Sequence, residues 1–165
     1  MSIRTERVSI PVADGTSMNG HLFIPEGEGP KAAILLYQEI FGVNDHMRRV
    51  AARYAGLGYV VMAPDLFHRQ VENYEAGYDN IGDSIALAMK YTGDQSEADL
   101  KASYDFLSKH PQVQADRVAS LGFCMGGRLA FVSNGISPLR CAVSFYGSIA
   151  PDKLSFTASQ SGPQL

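Results

Sequence analysis

Four short apolar runs, separated by stretches of helical periodicity, constrain this chain more than any other feature of its sequence. They are KAAILLY (31–37), YVVMAPDLF (59–67), RVASLGF (117–123) and RCAVSFYG (140–147). Runs of this length that stay mostly apolar without alternating read as strands covered on both faces. Between the first two, NDHMRRVAARYAGLG places Met47, Val50, Ala51, Tyr54 and Leu57 at helical spacing, with Asn44 or Asp45 as N-cap and Gly58 as the stop. DQSEADLKASYDFLSKHP is a second helix, with Asp94 and Glu97 at capping-box spacing and Pro111 past its end. MGGRLAFVSNG makes a third, short one. Buried strands alternating with helices predict an α/β fold with a mostly parallel central sheet.

Upstream, RVSIPVADG and NGHLFIPEG alternate partly and end in turn residues, so an antiparallel hairpin of half-exposed strands is expected at one sheet edge. The segment 68–93 is mixed, with short helical stretches only. The whole of 1–165 reads as a single domain, and 165 residues suffice for a sizeable core.

Composition excludes several function classes. The net charge of −3 and the scattered basic residues give no electrostatic footprint for nucleic acid. No run approaches the ~20 apolar residues of a membrane span, and MSIRTERVSIPV is not a secretory signal. The 2 cysteines, Cys124 and Cys141, are too few for a disulfide framework and lack metal-ligand spacing. The expectation is a cytoplasmic protein with no metal and no cofactor.

Cys124 occupies an unusual place. Gly122-Phe123-Cys124-Met125-Gly126 fits G-x-nucleophile-x-G at a strand-to-helix junction, the nucleophile elbow of α/β-hydrolases with Cys in place of Ser. Glycines two before and two after are needed because a tight, strained turn leaves no room for side chains. The turn sets Cys124 at a helix N-terminus, where the dipole favours a thiolate and the Met125 N–H can serve an oxyanion. A second donor is expected from the loop around Glu39 and Ile40. Cys141, inside an apolar run, reads as core.

At these residues the chain resembles the dienelactone hydrolase (carboxymethylenebutenolidase) family, a branch of the α/β-hydrolase fold. The likeness is carried by YQEIFGVNDHMRRVAARYAGLGYVVMAPDLF (37–67), ADLKASYDFLSKHPQV (98–113), RVASLGFCMGGRLAF (117–131) and AVSFYG (142–147). It implies a hydrolase that cleaves an ester or lactone through an acyl-cysteine intermediate at Cys124. It further implies that Glu39, in QEIFG, takes the thiol proton and that the backbone amides of Ile40 and Met125 form the oxyanion hole. Substrates of the family carry a carboxylate bound by arginines. Arg69 could then line the mouth, with Tyr78 in a variable pocket wall spanning 69–96, although a solvated face is the ordinary reading both for Arg69 and for Arg128 on the elbow helix.

One departure stands out. α/β-hydrolases run nucleophile, acid, histidine, yet His21, His46, His68 and His110 all precede Cys124, and the only acidic residue after it is Asp152. His46 and His68 are expected at the rim of the catalytic edge, His21 and His110 at the surface. The chain therefore reads as a C-terminally truncated α/β-hydrolase domain, without the fold's last strands and helices. The competing reading is a catalytically incompetent fragment or binding module of that fold. Its open hydrophobic sheet edge would then favour self-association. Thiol redox sensing is a third reading, without a resolving cysteine in sequence.

Overall fold

A computed structural model of the chain describes residues 2–148. Six strands, β1 (Ile3–Pro11), β2 (Ser17–Pro25), β3 (Lys31–Tyr37), β4 (Val60–Pro64), β5 (Val113–Phe123) and β6 (Ala142–Phe145), form one sheet in the order β1-β2-β4-β3-β5-β6. β1 and β2 make the antiparallel hairpin, and β2 pairs antiparallel with β4. From β4 across to β6 every pairing is parallel.

Four helices connect the strands: α1 (Asp45–Gly56), α2 (Ile81–Lys90), α3 (Gly93–Ser108) and α4 (Met125–Ile136). Side-chain alternation splits the central strands between two cores. Ala33, Leu35 and Tyr37 of β3, with Val60 and Met62 of β4, pack with Leu100 and Leu107 of α3 and Leu129 and Ala130 of α4. Ile34 and Leu36, with Val61 and Ala63, face Met47, Ala51 and Ala55 of α1. Those three α1 residues are spaced four apart, one stripe of the helix. Burying a side chain such as Met47 contributes about 1.5–3 kcal/mol. Helices on both faces are why the parallel strands read as unbroken apolar runs. Among the described residues no helix is long and apolar enough to cross a membrane.

α1 begins as expected, with the Asn44 side chain accepting the Met47 N–H at 3.2 Å and Gly58 at φ +97 just past its end. α3 departs from expectation. Its capping box is Thr92 with Gln95, so Asp94 lies in the first turn rather than at the cap. A hydroxyl at the N-cap beats the Asp94 carboxylate because Gly93 is drawn into the helix as its first residue.

The structure overturns five further expectations, most of them through sheet order. β2 lies between β1 and β4 and is buried along most of its length. His21 on it is therefore buried too, and desolvation together with Arg7 and Arg48 holds its imidazole down at about 4. His110 is half-buried, its Nδ1 accepting the Gln112 N–H. β6 is an edge strand with Val143, Ser144 and Phe145 exposed, and Cys141 just before it is exposed rather than core. Its apolar sequence suits a covered strand, but no described strand pairs with its outer side. The reading of the tail, Asp152 included, lies outside the described residues.

Candidate active site

The register of the three parallel strands decides which loops meet. Tyr37 at the end of β3 pairs with Gly122, and Phe123 at the end of β5 pairs with Phe145 of β6. Gln38-Glu39-Ile40, Cys124-Met125 and Tyr146 therefore leave the sheet side by side at its carboxyl edge, where α/β sheets bind ligands.

Cys124 stands between β5 and α4 with φ 55 and ψ −120, a conformation costly for any residue with a Cβ. Three backbone contacts hold it there. Its N–H donates to the Phe145 carbonyl at 3.0 Å, and its own carbonyl accepts from Gly127 and Arg128. The flanking glycines are required by space: a Cβ on Gly122 would stand 2.0 Å from the Gly126 oxygen, and one on Gly126 2.2 Å from the Tyr37 oxygen. The thiol is half-buried and free. Met125 opens α4, so its N–H has no acceptor within the helix.

Glu39 is 4% exposed, and both its oxygens are engaged. Tyr78 Oη donates to Oε2 at 2.9 Å, and Tyr146 Oη donates to Oε1 at 2.7 Å. Desolvation, the bond to Glu39 and its negative charge push both phenols up; for Tyr146 the neighbouring Cys124 adds to the effect. The phenols thus remain protonated donors.

Tyr78 reaches Glu39 because its loop is bolted to the one after β3. Gly42 pairs with Glu75, the Ala76 N–H donates to the Phe41 carbonyl at 3.0 Å, and Asn44 Nδ2 donates to the Ala76 carbonyl. Arg48 bridges Glu75, Asp45 and the Val43 carbonyl. Gly42 has φ +77, and a Cβ there would fall 1.7 Å from the Tyr74 oxygen. The Phe41 and Tyr78 rings meet edge to face at 4.8 Å. His46 stands over the same wall, its ring 6.5 Å from Tyr78 and 6.2 Å from Phe123. A cleft of about 360 Å³ opens beside them, lined by His46, Arg49, Glu75 and Tyr78 among others. A larger cavity of about 770 Å³ lies between the end of β1 and α3, against Pro11, Phe106 and His110, and none of the groups on Glu39 line it.

The structure thus brings Glu39, Ile40, Cys124, Met125 and Tyr78 to one edge. Arg69 is not brought there. Its guanidinium forms a two-pronged pair with buried Asp99, at 2.8 and 2.9 Å, and also holds Asp14; Tyr91 Oη donates to Asp99 as well. That network fastens the segment after β4 to the β1–β2 turn and to α3. His68 is committed too, with Nε2 on Thr16 Oγ1 and Nδ1 on the Asp65 carbonyl. Among the described residues no histidine is hydrogen-bonded to Cys124. Sequence reasoning missed Tyr146. The signal was its place in SFYG, directly after the strand that neighbours the elbow strand.

A family model described as the dienelactone hydrolase family matches residues 18–165. A putative carboxymethylenebutenolidase of Synechocystis sp. is 33% identical over 153 residues, covering 92% of this chain and 62% of the relative. A carboxymethylenebutenolidase of Pseudomonas sp. is 35% identical over 147 residues, covering 87% and 60%. Among solved structures, a putative dienelactone hydrolase from Klebsiella pneumoniae superposes with a TM-score of 0.85 at 30% identity, over 96% of this chain and 66% of that one. A dienelactone hydrolase-like promiscuous phosphotriesterase from metagenomic libraries gives a TM-score of 0.76 at 25% identity, over 92% and 62%. The chain spans about three fifths of the length of the two curated relatives.

Proposed function

This chain belongs to the dienelactone hydrolase family, and from that premise we propose that it cleaves a small ester or lactone through an acyl-thioester on Cys124. The observation that carries the reading is the strained backbone of Cys124, φ 55 and ψ −120, set beside a buried carboxylate. A protein holds a non-glycine residue in that conformation against a cost of about 1–3 kcal/mol, and presenting a nucleophile is a use that justifies it.

In this mechanism the Cys124 S–H bond breaks and its proton passes to Glu39, while Sγ bonds to the substrate carbonyl carbon. The carbonyl oxygen becomes an oxyanion facing the N–H groups of Ile40 and Met125, donors that act only as charge develops. Collapse breaks the ester C–O bond, and the departing oxygen takes the proton from Glu39. Water then hydrolyses the thioester, which requires a general base at hydrogen-bond distance. The family's order supplies a carboxylate and then a histidine after the nucleophile. Asp152 follows Cys124 but lies outside the described residues.

That requirement supports a second reading. The described residues bring no histidine to the thiol, so residues 1–165 alone would acylate without turning over, as an incompetent fragment or a binding module. One experiment separates the readings. With p-nitrophenyl acetate, the proposed enzyme releases p-nitrophenolate beyond one equivalent and carries an acetyl group on the Cys124 peptide, and Cys124→Ala does neither. A single-equivalent burst without turnover favours the second reading. Equal rates for wild type and Cys124→Ala would sink the nucleophile.

A further inference from the structure

Helix α3 carries a row of charges that alternate in sign. Glu97, Lys101, Asp105 and Lys109 stand four residues apart, and Lys109 caps the helix. Residues so spaced form one ridge on a helix surface. This ridge points away from the core, which takes Ser96, Asp99, Leu100, Ser103 and Leu107 from the opposite face. Lys101, Asp105 and Lys109 are exposed, and Glu97 is half-buried. Within the chain the row is only partly used. Glu97 pairs with Lys101, whereas among the described residues Asp105 and Lys109 have no ion-pair partner.

Beside the ridge runs the cleft of about 770 Å³, with Pro11 and Val12 on one wall and Ala98, Ala102 and Phe106 on the other. Those three α3 residues form the next row on the helix, again four apart, and are half-buried against the core. An apolar trough next to a ridge is the shape that a second helix fills by laying its own ridge into the trough. The charges say which helix. Turned end for end about a twofold axis at the middle of α3, the row meets itself with every sign opposed. Lys101 then faces Asp105 of a second copy and Asp105 faces its Lys101; Glu97 and Lys109 exchange in the same way.

We propose that α3 and the cleft beside it form the contact surface of a twofold-symmetric dimer of this chain. In a twofold interface each contact occurs twice, residue i against j and j against i. Exposed ion pairs add little affinity. Their part here is to set register and direction, because a parallel arrangement would bring like charges together. Burial of the apolar cleft walls supplies the attraction. The surface lies on the face of the sheet opposite α1, and none of its residues belongs to the site around Cys124.

The test is sedimentation velocity on Val143→Lys protein, which silences the β6 edge, carrying Lys101→Glu, Asp105→Lys or neither. The Val143→Lys parent sediments as a concentration-dependent dimer. Each added substitution sets like charges opposite each other twice and weakens the dimer on the order of tenfold. An equimolar mixture of the two variants restores it. There the introduced carboxylate of one chain meets the introduced ammonium of the other, and the second contact keeps its native pair. Rescue by mixing cannot arise within one helix, so it separates an interface from a change in helix stability. Both side chains are exposed, and circular dichroism melts should stay close to the parent. A parent that is monomeric at every concentration overturns the dimer and leaves the cleft to an occupant of another kind. Single variants that dimerise as tightly as the parent, or a mixture no tighter than either variant alone, overturn the pairing through α3.

Discussion

Replacing Gly126 by alanine adds one methyl group at the start of α4, and the structure leaves that methyl no room. Its Cβ would stand 2.2 Å from the Tyr37 carbonyl oxygen and 2.5 Å from that of Gln38. Non-bonded carbon contacts settle near 3.5–4.0 Å, so α4 must retreat from β3 by roughly 1 Å or more. Both obstacles are main-chain atoms at the end of β3 and just past it, and no side-chain rotation relieves them. Overpacking costs about 1–3 kcal/mol, and rigid neighbours place this case near the top of that range. Helix propensity opposes it by about 0.5–1 kcal/mol, leaving a net loss of about 2 kcal/mol. In a chain of this size each kcal/mol moves Tm by about 2–4 °C, so a fall of about 4–8 °C is expected. Gly82→Ala is the matched control. It also lies in a helix, α2, but nothing comes within 4 Å of the added Cβ. Only the propensity gain remains, and Tm should rise by about 1–4 °C. Melts followed by circular dichroism, with Cys124 alkylation alongside, measure both. A Gly126→Ala protein that melts no lower than wild type, with an unchanged alkylation rate, would refute the claim that the contact between α4 and β3 sets the elbow.

Three other outcomes follow from features of the core and edge. Ser133→Ala strands the buried Tyr37 hydroxyl, now bonded to Ser133 Oγ at 2.9 Å, and should cost about 1–3 kcal/mol by denaturant titration; adding Tyr37→Phe should recover most of it. His21 stays neutral in the fold down to about 4 while an unfolded imidazole protonates near 6.5. Acid therefore pulls the chain toward the unfolded state between those values. Tm should drop on acidification through that window, more shallowly in His21→Gln. On β6, self-association through the exposed edge should appear as concentration-dependent sedimentation, and Val143→Lys should abolish it. Wild-type protein sedimenting as a monomer at every concentration would remove that expectation.

What the sequence made legible was whatever depends on near neighbours in the chain. The apolar runs, the Asn44 cap and the glycines framing Cys124 are local patterns with local causes, and each appears where expected. Sheet order is different. RCAVSFYG and DRVASLGF look alike as strings, yet one is a flank and the other lies inside the sheet, because only tertiary pairing decides what covers a strand. The misplacement of His21 has the same origin: NGHLFIPEG does not say that β4 will close over its far side. Asp94-Glu97 and Thr92-Gln95 share the capping-box spacing, and only the fold shows that the helix starts at Gly93 and so selects Thr92. The Glu39–Tyr146 bond joins residues 107 apart, and only the shared register of β3, β5 and β6 makes them neighbours. Arg69 was legible as a position but not as a role, since its partners Asp14 and Asp99 lie 55 residues before it and 30 residues after it in the chain.

Gly42 carries a consequence for redesign. The loop after β3 and the wall at 74–76 meet largely through main-chain groups, with Gly42 against Glu75 and Phe41 against Ala76. Main-chain joints are indifferent to which side chains flank them, so the wall behaves as a replaceable panel on a fixed frame. A library that varies residues 70–72 and 79–80 while keeping Gly42, Asn44, Arg48, Asn73, Glu75 and Tyr78 would diversify the entrance to Cys124 without disturbing the elbow. If the proposed ester hydrolysis holds, selectivity shifts at little cost in stability, while the frame that strains Cys124 is inherited unchanged.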